Sequence, residues 1–348
     1  MIPSAPASDH MIGRMRCAHT RCSGEEQTLF APLSQPSTPS RSLQAGAGWM
    51  ALLIGLSCLG ACSPPASDAN NLLTIERLAF VPAGAHNLWQ VGIVAEGGDP
   101  EGGDGLLVDL FEVTWREWLA AGMDVPLGGW DQWAGTQGAQ GNLPAVGMDR
   151  AEALEFARLE QMRLPTVAEW FWCASGSRGQ PHPYGPRGMA SAANTLEVGL
   201  GRSVAVGTFA SGRTPGSQLL DLEGNVWEWC LDQPPEGVAL LGGGEGHLAC
   251  AVGGSFLETT QSLHGEQGIL ARGLDPRHRA VDLGLRRVCS ARRWLLEHGD
   301  DISDPRFEAR VRGVGKRWGR PAVEMLRGLE EVGSGTLGFT WLREGAEQ

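Results

Sequence analysis

Gly224-Asn225-Val226-Trp227-Glu228-Trp229 is the stretch whose reading decides the fold. It follows directly on Asp221-Leu222-Glu223, so two carboxylates, Asp221 and Glu228, stand seven residues apart around a tight glycine turn. Upstream lie Phe111-Glu112-Val113-Thr114 and Arg163-Leu164-Pro165-Thr166-Val167-Ala168-Glu169-Trp170. Downstream come Gly253-Gly254-Ser255-Phe256 and Gly284-Leu285-Arg286. Each short motif alone is weak. Their ordered set, spread over about Ile75 to Ser290, marks one domain.

Local signals surround these motifs. Leu78-Ala79-Phe80-Val81 reads as a strand, closed by a Pro82-Ala83-Gly84 turn. Leu106 to Val113 is a second strand-like run with Asp109 inside it, and Thr114 caps a helix over Trp115 to Ala121. Asp149 and Glu152 form a capping box for the next helix, which carries Ala153, Leu154, Ala157 and Leu159 at helical spacing. Thr166 and Glu169 repeat that box and predict a short helix holding Trp170 and Trp172 near the core. From about Gly176 to Gly254 only loops and very short strands are expected. Leu283 to Val288 reads as a last strand. Beyond it, Trp294-Leu295-Leu296 and Val323 to Leu329 are amphipathic and predict two surface helices.

The ordered motifs resemble the formylglycine-generating-enzyme, or sulfatase-modifying-factor, family. The resemblance implies an α+β, C-type-lectin-like fold with little regular secondary structure, held by ordered loops and bound cations. It makes Asp221 and Glu228 side-chain ligands of a structural calcium ion, with the carbonyls of Gly224 and Val226, and it matches Asn194 to the start of a second site. A hard divalent cation takes six to eight oxygens of this kind. The bland reading is that Asp221 and Glu228 cap turns.

The resemblance also implies an oxidase with two cysteines just after Gly253-Gly254-Ser255, whose thiolates suit copper(I). Here the matching positions are Glu258 and Leu263. A carboxylate is a hard ligand and leucine is none, so no copper is expected and no catalytic residue is assigned. The pocket candidates that remain are Glu258, His264, Arg272 and His278. Glu258 with the two histidines could form a 2-His-1-carboxylate iron site, although scattered loop histidines are more often surface residues. Arg163 and Arg286, each inside a motif, read as ion-pair partners. The family often bridges the elements that carry Cys173 and Cys289, which implies a Cys173–Cys289 disulfide. Cys230–Cys250 and buried reduced thiols stay open as alternatives.

Composition bounds the partners. The formal net charge is −12 and no basic stripe is visible, which argues against nucleic acid. Thirteen Trp against one Tyr point to tryptophans in core and pocket walls. Met50 to Cys62 is a short apolar run that fits the core of an export signal. It ends in Leu59-Gly60-Ala61-Cys62, which resembles a bacterial lipobox with Cys62 as the lipid anchor. Residues 1–62 are then leader and signal peptide, with 1–49 an over-extended start, 63–74 a tether, 75–290 the domain and 291–348 a helical extension. Ser63 and Pro64 lack the Asp that retains many such proteins in the inner membrane, so the outer membrane is favoured. The expected function is a lipid-anchored bacterial envelope protein whose domain binds or scaffolds an envelope protein or peptide without catalysis. The alternative is a divergent metal-dependent oxidase or protein-modifying enzyme.

Overall fold

The computed structural model describes residues 74–83, 104–126, 141–159, 161–176, 178–233, 240–241, 249–265, 268–269, 271–333 and 335–348. Cys62 and the lipobox lie outside them. Residues 63–348 belong to one compact unit.

Two sheets organise the domain. The strands β1 (Leu78–Val81), β2 (Leu106–Asp109) and β10 (Val288–Ser290) form an antiparallel sheet in the order β1-β2-β10. Its register pairs Ala79 with Val108 and Cys289 with Leu107. All positions of β1 and β2 are buried, so both faces of this sheet are covered. Successive side chains of a strand point to opposite faces, and the two faces build two different cores. Ala79, Val81, Leu106, Val108 and Val288 join one core with helix α3 (Val167–Ser175). Leu78, Phe80, Leu107 and Cys289 join another with the C-terminal helices.

The second sheet has five short strands in the order β4-β8-β5-β3-β9. They are β3 (Trp227–Trp229), β4 (Leu240–Leu241), β5 (Ala249–Val252), β8 (Ala271–Leu274) and β9 (Leu283–Gly284). β3 runs antiparallel to β5 and parallel to β9. β6 (His264–Gly265) and β7 (Gly268–Ile269) pair as a small ribbon. A third core of Trp115, Trp118, Phe156, Trp227, Trp229 and Leu263 packs beside this sheet. Every tryptophan among the described residues is buried, as expected of a side chain with this much apolar area. The architecture is α+β with short elements joined by long ordered loops, as the sequence predicts.

The helix starts follow their capping residues. Thr114 opens α1 (Trp115–Ala120) and Thr166 opens α3, each with a complete capping box to Glu117 and Glu169. Asp149 and Glu152 exchange the same two hydrogen bonds, at 3.0 Å each, ahead of α2 (Arg150–Leu159). In α2 the buried face is Ala153, Phe156 and Ala157. Leu159, expected inward, is 54% exposed, because a position two residues past Ala157 falls on the opposite side of the helix. The expected last strand is two short ones, β9 and β10. Between them Leu285, Arg286 and Arg287 leave the ladder, and the two arginines reach buried carboxylates.

Beyond Ser290 the described residues form four α-helices, where two are predicted: α5 (Ala291–Ile302), α6 (Glu308–Trp318), α7 (Val323–Glu330) and α8 (Thr336–Ala346). Trp294, Leu295, Trp318, Leu326, Phe339 and Leu342 share one core with β1 and β2. The extension therefore covers the outer face of the first sheet.

Candidate functional site

The GNVWEW loop is organised around a buried charge cluster. β3 points Glu228 inward, and the segment between β9 and β10 brings Arg286 to it. Arg286 Nε donates to both Glu228 oxygens at 3.0 and 3.1 Å, and Nη2 donates to Oε1 at 2.8 Å. Trp170 Nε1 donates to Glu228 Oε2 at 2.7 Å. Both charged side chains are 1% exposed. The remaining guanidinium donors go to the carbonyls of Asp109 and Leu220, each at 2.8 Å. Burial works against the charge on Arg286, but Glu228 outweighs it and holds the guanidinium protonated.

Two further carboxylates stand close by. Glu112 is fully buried and accepts from Asn225 Nδ2 at 3.1 and 3.3 Å. Burial, with the charges of Asp221 and Glu228, pushes its carboxyl well above the usual carboxylate range. Asp221 accepts from the Gly207 amide at 2.6 Å. Burial pushes its carboxyl up to about 6, against the pull of that amide and of Arg286. Three acids thus stand around one guanidinium, and burial and mutual repulsion raise the carboxyls of Glu112 and Asp221.

This geometry gives Glu228, one of the expected calcium ligands, an ionic partner within the chain. Every oxygen of Glu228 is engaged by Arg286 or Trp170, so in this arrangement the carboxylate serves as the counter-ion of Arg286. Among the described residues, no group of three or more His, Cys, Asp or Glu side chains is placed to hold a metal ion. Asn194 is different. Its Nδ2 donates to the Arg202 carbonyl and to Asn225 Oδ1, each at 3.0 Å, while its Oδ1 is buried without a hydrogen-bond partner. Thr195 Oγ1 and Ser203 Oγ are also buried and unpaired. Buried polar atoms are nearly always satisfied, so these three oxygens fit the chemistry of a hard cation or an ordered water. Asn225 ties this loop to the charge cluster, its Oδ1 also accepting from the Val204 amide at 2.9 Å.

Glu258 and Leu263, the positions at which the resemblance expects cysteines, are both packed into the domain. Glu258 folds back on its own turn. Its Oε2 accepts from the Ser255 amide at 3.0 Å and the Ser255 hydroxyl at 2.5 Å, and its Oε1 accepts from Trp227 Nε1 at 3.2 Å. Arg272 Nη1 lies 3.9 Å from Glu258 Oε1, and its guanidinium sits 5.7 Å from the Trp227 ring centroid. The structure thus unites two of the four pocket candidates, Glu258 and Arg272. Leu263 ends the one-turn helix α4 (Thr260–Leu263) and is fully buried. Its side chain packs on Gly254, where an added Cβ would fall 2.3 Å from Leu263 Cδ2. His264 begins β6, and its side chain lies outside the described residues. His278 sits in the turn after β8, its amide donating to the Asp275 carbonyl at 2.8 Å.

The four described cysteines lie on different faces of the core. Cys173, Cys230, Cys250 and Cys289 are free and buried. Cys173 packs in the core with Val288, whereas Cys289 points to the opposite face of the sheet with Leu107. A strand places neighbours on opposite faces, so in this structure Cys289 faces away from the core that holds Cys173. Cys230 and Cys250 instead lie opposite one another where β3 and β5 pair. The Cys230 amide donates to the Cys250 carbonyl at 2.8 Å, and burial, with the neighbouring Cys250 thiol, pushes the Cys230 thiol up.

One constellation escapes the sequence reading. His182 Nδ1 lies 2.9 Å from Glu223 Oε2, and the Tyr184 hydroxyl donates to Glu223 Oε1 at 3.2 Å. The two rings stack at 5.3 Å between centroids. Burial and the Glu223 charge raise the Tyr184 phenol. The signal that could have found it is the lone tyrosine in Pro181-His182-Pro183-Tyr184.

The sulfatase-modifying factor enzyme 1-like domain matches residues 95–291, and the chain belongs to that family. A formylglycine-generating enzyme of Mycobacterium tuberculosis is 39% identical over 97 residues, covering 25% of this chain and 32% of that protein. One of Thermomonospora curvata is 34% identical over 105 residues, covering 26% and 34%. The chain spans about a third of the length of the curated relatives it matches. Among solved structures, Treponema denticola variable protein 1 superposes with a TM-score of 0.43 at 18% identity, covering 61% of this chain and 94% of that one. CarF does so with a TM-score of 0.42 at 19% identity, covering 61% and 97%.

Proposed function

We propose that this chain is a non-catalytic member of the family, anchored to the bacterial envelope through Cys62, whose domain binds or scaffolds an envelope protein or peptide. The observation that carries the non-catalytic part is the filling of the thiol positions. Leu263 is fully buried against Gly254. Glu258 is tied to Ser255 and Trp227. A leucine side chain excludes metal and water alike, and a carboxylate in this position prefers hard ions to copper(I). The other described cysteines are buried elsewhere.

The test uses the activity named for the relatives. Copper-loaded protein is incubated with a cysteine-containing sulfatase-type peptide and the peptide mass is followed. The expected result is no conversion to formylglycine. Turnover above a control without protein, abolished by Glu258→Ala, would overturn the reading in favour of a divergent oxidase.

The anchor is tested separately. Cys62→Ser should lose labelling by radioactive palmitate and leave the membrane fraction. The residues after Cys62, Ser63 and Pro64, support the outer membrane as its destination. We further propose calcium as a structural ion of the Asn194 loop, supported by its three unpaired buried oxygens. The net charge of −12 supports a partner other than nucleic acid.

A further inference from the structure

We propose that Cys230 and Cys250 form a thiol–disulfide site whose state is fixed while the chain folds and is then sealed between β3 and β5. The two strands pair antiparallel, with Glu228 opposite Val252 and Trp229 opposite Ala251. One step further Cys230 stands opposite Cys250, and its amide donates to the Cys250 carbonyl at 2.8 Å. Directly opposed residues send their side chains to the same face of a sheet. Trp229 and Ala251 join the core beside the second sheet, whereas Cys230 and Cys250 join the core that α3 covers, with Val252 and Ala271. The Cα atoms of opposed residues lie about 4.5–5.5 Å apart, inside the span a disulfide bridges.

The fold closes this pair off. Both thiols are fully buried. Burial, with the neighbouring Cys250 thiol, raises the Cys230 thiol, so the thiolate that carries out exchange is scarce in the folded chain. The oxidant is a small disulfide such as glutathione disulfide. One cysteine thiolate attacks it, forms a mixed disulfide and releases one glutathione. The second cysteine, as its thiolate, attacks the protein sulfur of that mixed disulfide, forms the Cys230–Cys250 bond and releases the second glutathione. The two cysteines give up two protons and an electron pair, and the reagent leaves as two thiols. The mixed disulfide needs room for a tripeptide. A core packed to the density of an organic crystal has none, so exchange runs through the open chain, before β3 and β5 close or after they separate.

The place of the bond gives it an effect. Just beyond β3 the chain is held at three points. Arg150 Nε donates to the Cys230 carbonyl at 3.1 Å, the Leu231 amide donates to the Pro165 carbonyl at 2.7 Å, and Asp232 Oδ1 accepts from the Val167 amide at 2.8 Å. The chain then departs and comes back as β5. A Cys230–Cys250 bond closes that departure into a loop, and a closed loop removes freedom from the unfolded chain. The oxidised protein is therefore the more stable form. Neither the reading of the Glu258 pocket nor that of the anchor enters.

The experiment takes the unaltered full chain, reduced, and treats it with glutathione disulfide either folded or while it refolds from urea. Cleavage after glutamate separates the two cysteines, because Glu236 and Glu245 lie between them. The expected result is a pair of peptides joined through Cys230 and Cys250 after oxidative refolding. In the folded protein the same linkage forms more than about a hundredfold more slowly, since core strands open rarely. The joined protein has a higher urea midpoint than the reduced one, and Cys250→Ala removes that gain. Should this variant fail to fold, the oxidised and reduced forms of the unaltered protein read the same effect. No linkage on refolding, a linkage of either cysteine to any other in the chain, oxidation of the folded protein as fast as of the refolding chain, or equal urea midpoints for the two forms would each overturn the proposal.

Discussion

Arg286 and Glu228 stand 58 residues apart in the chain and meet at 2.8 Å in a site where each side chain is 1% exposed. The pair joins β3 to the strands that close the domain, and the Arg286 carbonyl contacts reach back to β2 through Asp109. A buried ion pair is expensive to break, because the survivor is left as an uncompensated charge. Glu228→Gln or Arg286→Met should therefore cost about 3–5 kcal/mol, measured by urea unfolding. A loss of a few tenths would mean that the cluster is open to water and the pair only decorative.

The acids around that pair predict a pH dependence. Burial pushes the Asp221 carboxyl up to about 6 from an ordinary value of 3.8, and Glu112 is shifted in the same direction. A raised folded value means that folding favours the protonated form. The stability this contributes is complete below about 3.8 and is lost as the pH rises through about 6. Asp221→Asn should flatten the profile across that window and raise stability at pH 8 by about 2–3 kcal/mol, since each tenfold change in proton affinity between the folded and unfolded chain is worth about 1.4 kcal/mol. Unfolding curves at pH 5 and pH 8 decide it. A variant with the same pH slope as the parent would show that Asp221 is solvated.

How far this was legible depends on range. Thr114, Asp149 and Thr166 announced their helices because a cap acts on residues three positions away, and all three boxes are present. The burial of Trp170 and Trp172 followed from the same local pattern. The role of Glu228 did not. Whether a carboxylate faces a cation or an arginine depends on a residue 58 positions off, and the glycine turn before it looks alike in both cases. The face that Cys289 occupies was hidden for a related reason. Its separation from Cys173 is set by the face of β10 it occupies, and a one-residue shift of register reverses that face. The Glu223–His182–Tyr184 cluster left no periodic trace, being assembled from two loops.

Gly224 should tolerate no side chain. It has φ +77°, and an added Cβ would lie 2.4 Å from the Asn194 carbonyl oxygen. That oxygen also accepts from the Asn225 amide at 2.8 Å, so it cannot withdraw without breaking the loop. Gly224→Ala combines backbone strain with overpacking and should cost about 3 kcal/mol or more. A melting temperature within a degree or two of the parent would show that the two loops are not in contact.

Any disulfide formed under oxidising refolding should join Cys230 to Cys250. Residues opposed across an antiparallel pair have Cα atoms about 4.5–5.5 Å apart, inside the span a disulfide bridges. Alkylation followed by peptide mass mapping will show whether these two thiols are linked while Cys173 and Cys289 stay free. A Cys173–Cys289 linkage would mean that β10 turns its other face to the core.

The last prediction separates the two placements of calcium. An ion that binds only the folded state stabilises it by mass action, by about 2.7 kcal/mol at a hundredfold excess over its dissociation constant. Chelator should therefore lower the melting temperature of the parent protein. In the structure Glu228 is occupied by Arg286 and Trp170, whereas Asn194 Oδ1, Thr195 Oγ1 and Ser203 Oγ have no partner. Asn194→Ala removes one of these oxygens and should leave a protein that ignores chelator. Glu228→Gln should melt lower at the outset, through the broken ion pair, and still respond to chelator. The double comparison matters because both variants destabilise, and only the response to chelator distinguishes a ligand from a structural residue. If Glu228→Gln loses the response and Asn194→Ala keeps it, the ion sits beside Asp221 and Arg286 must move when it binds. If neither the parent nor either variant responds, the three oxygens are satisfied by water.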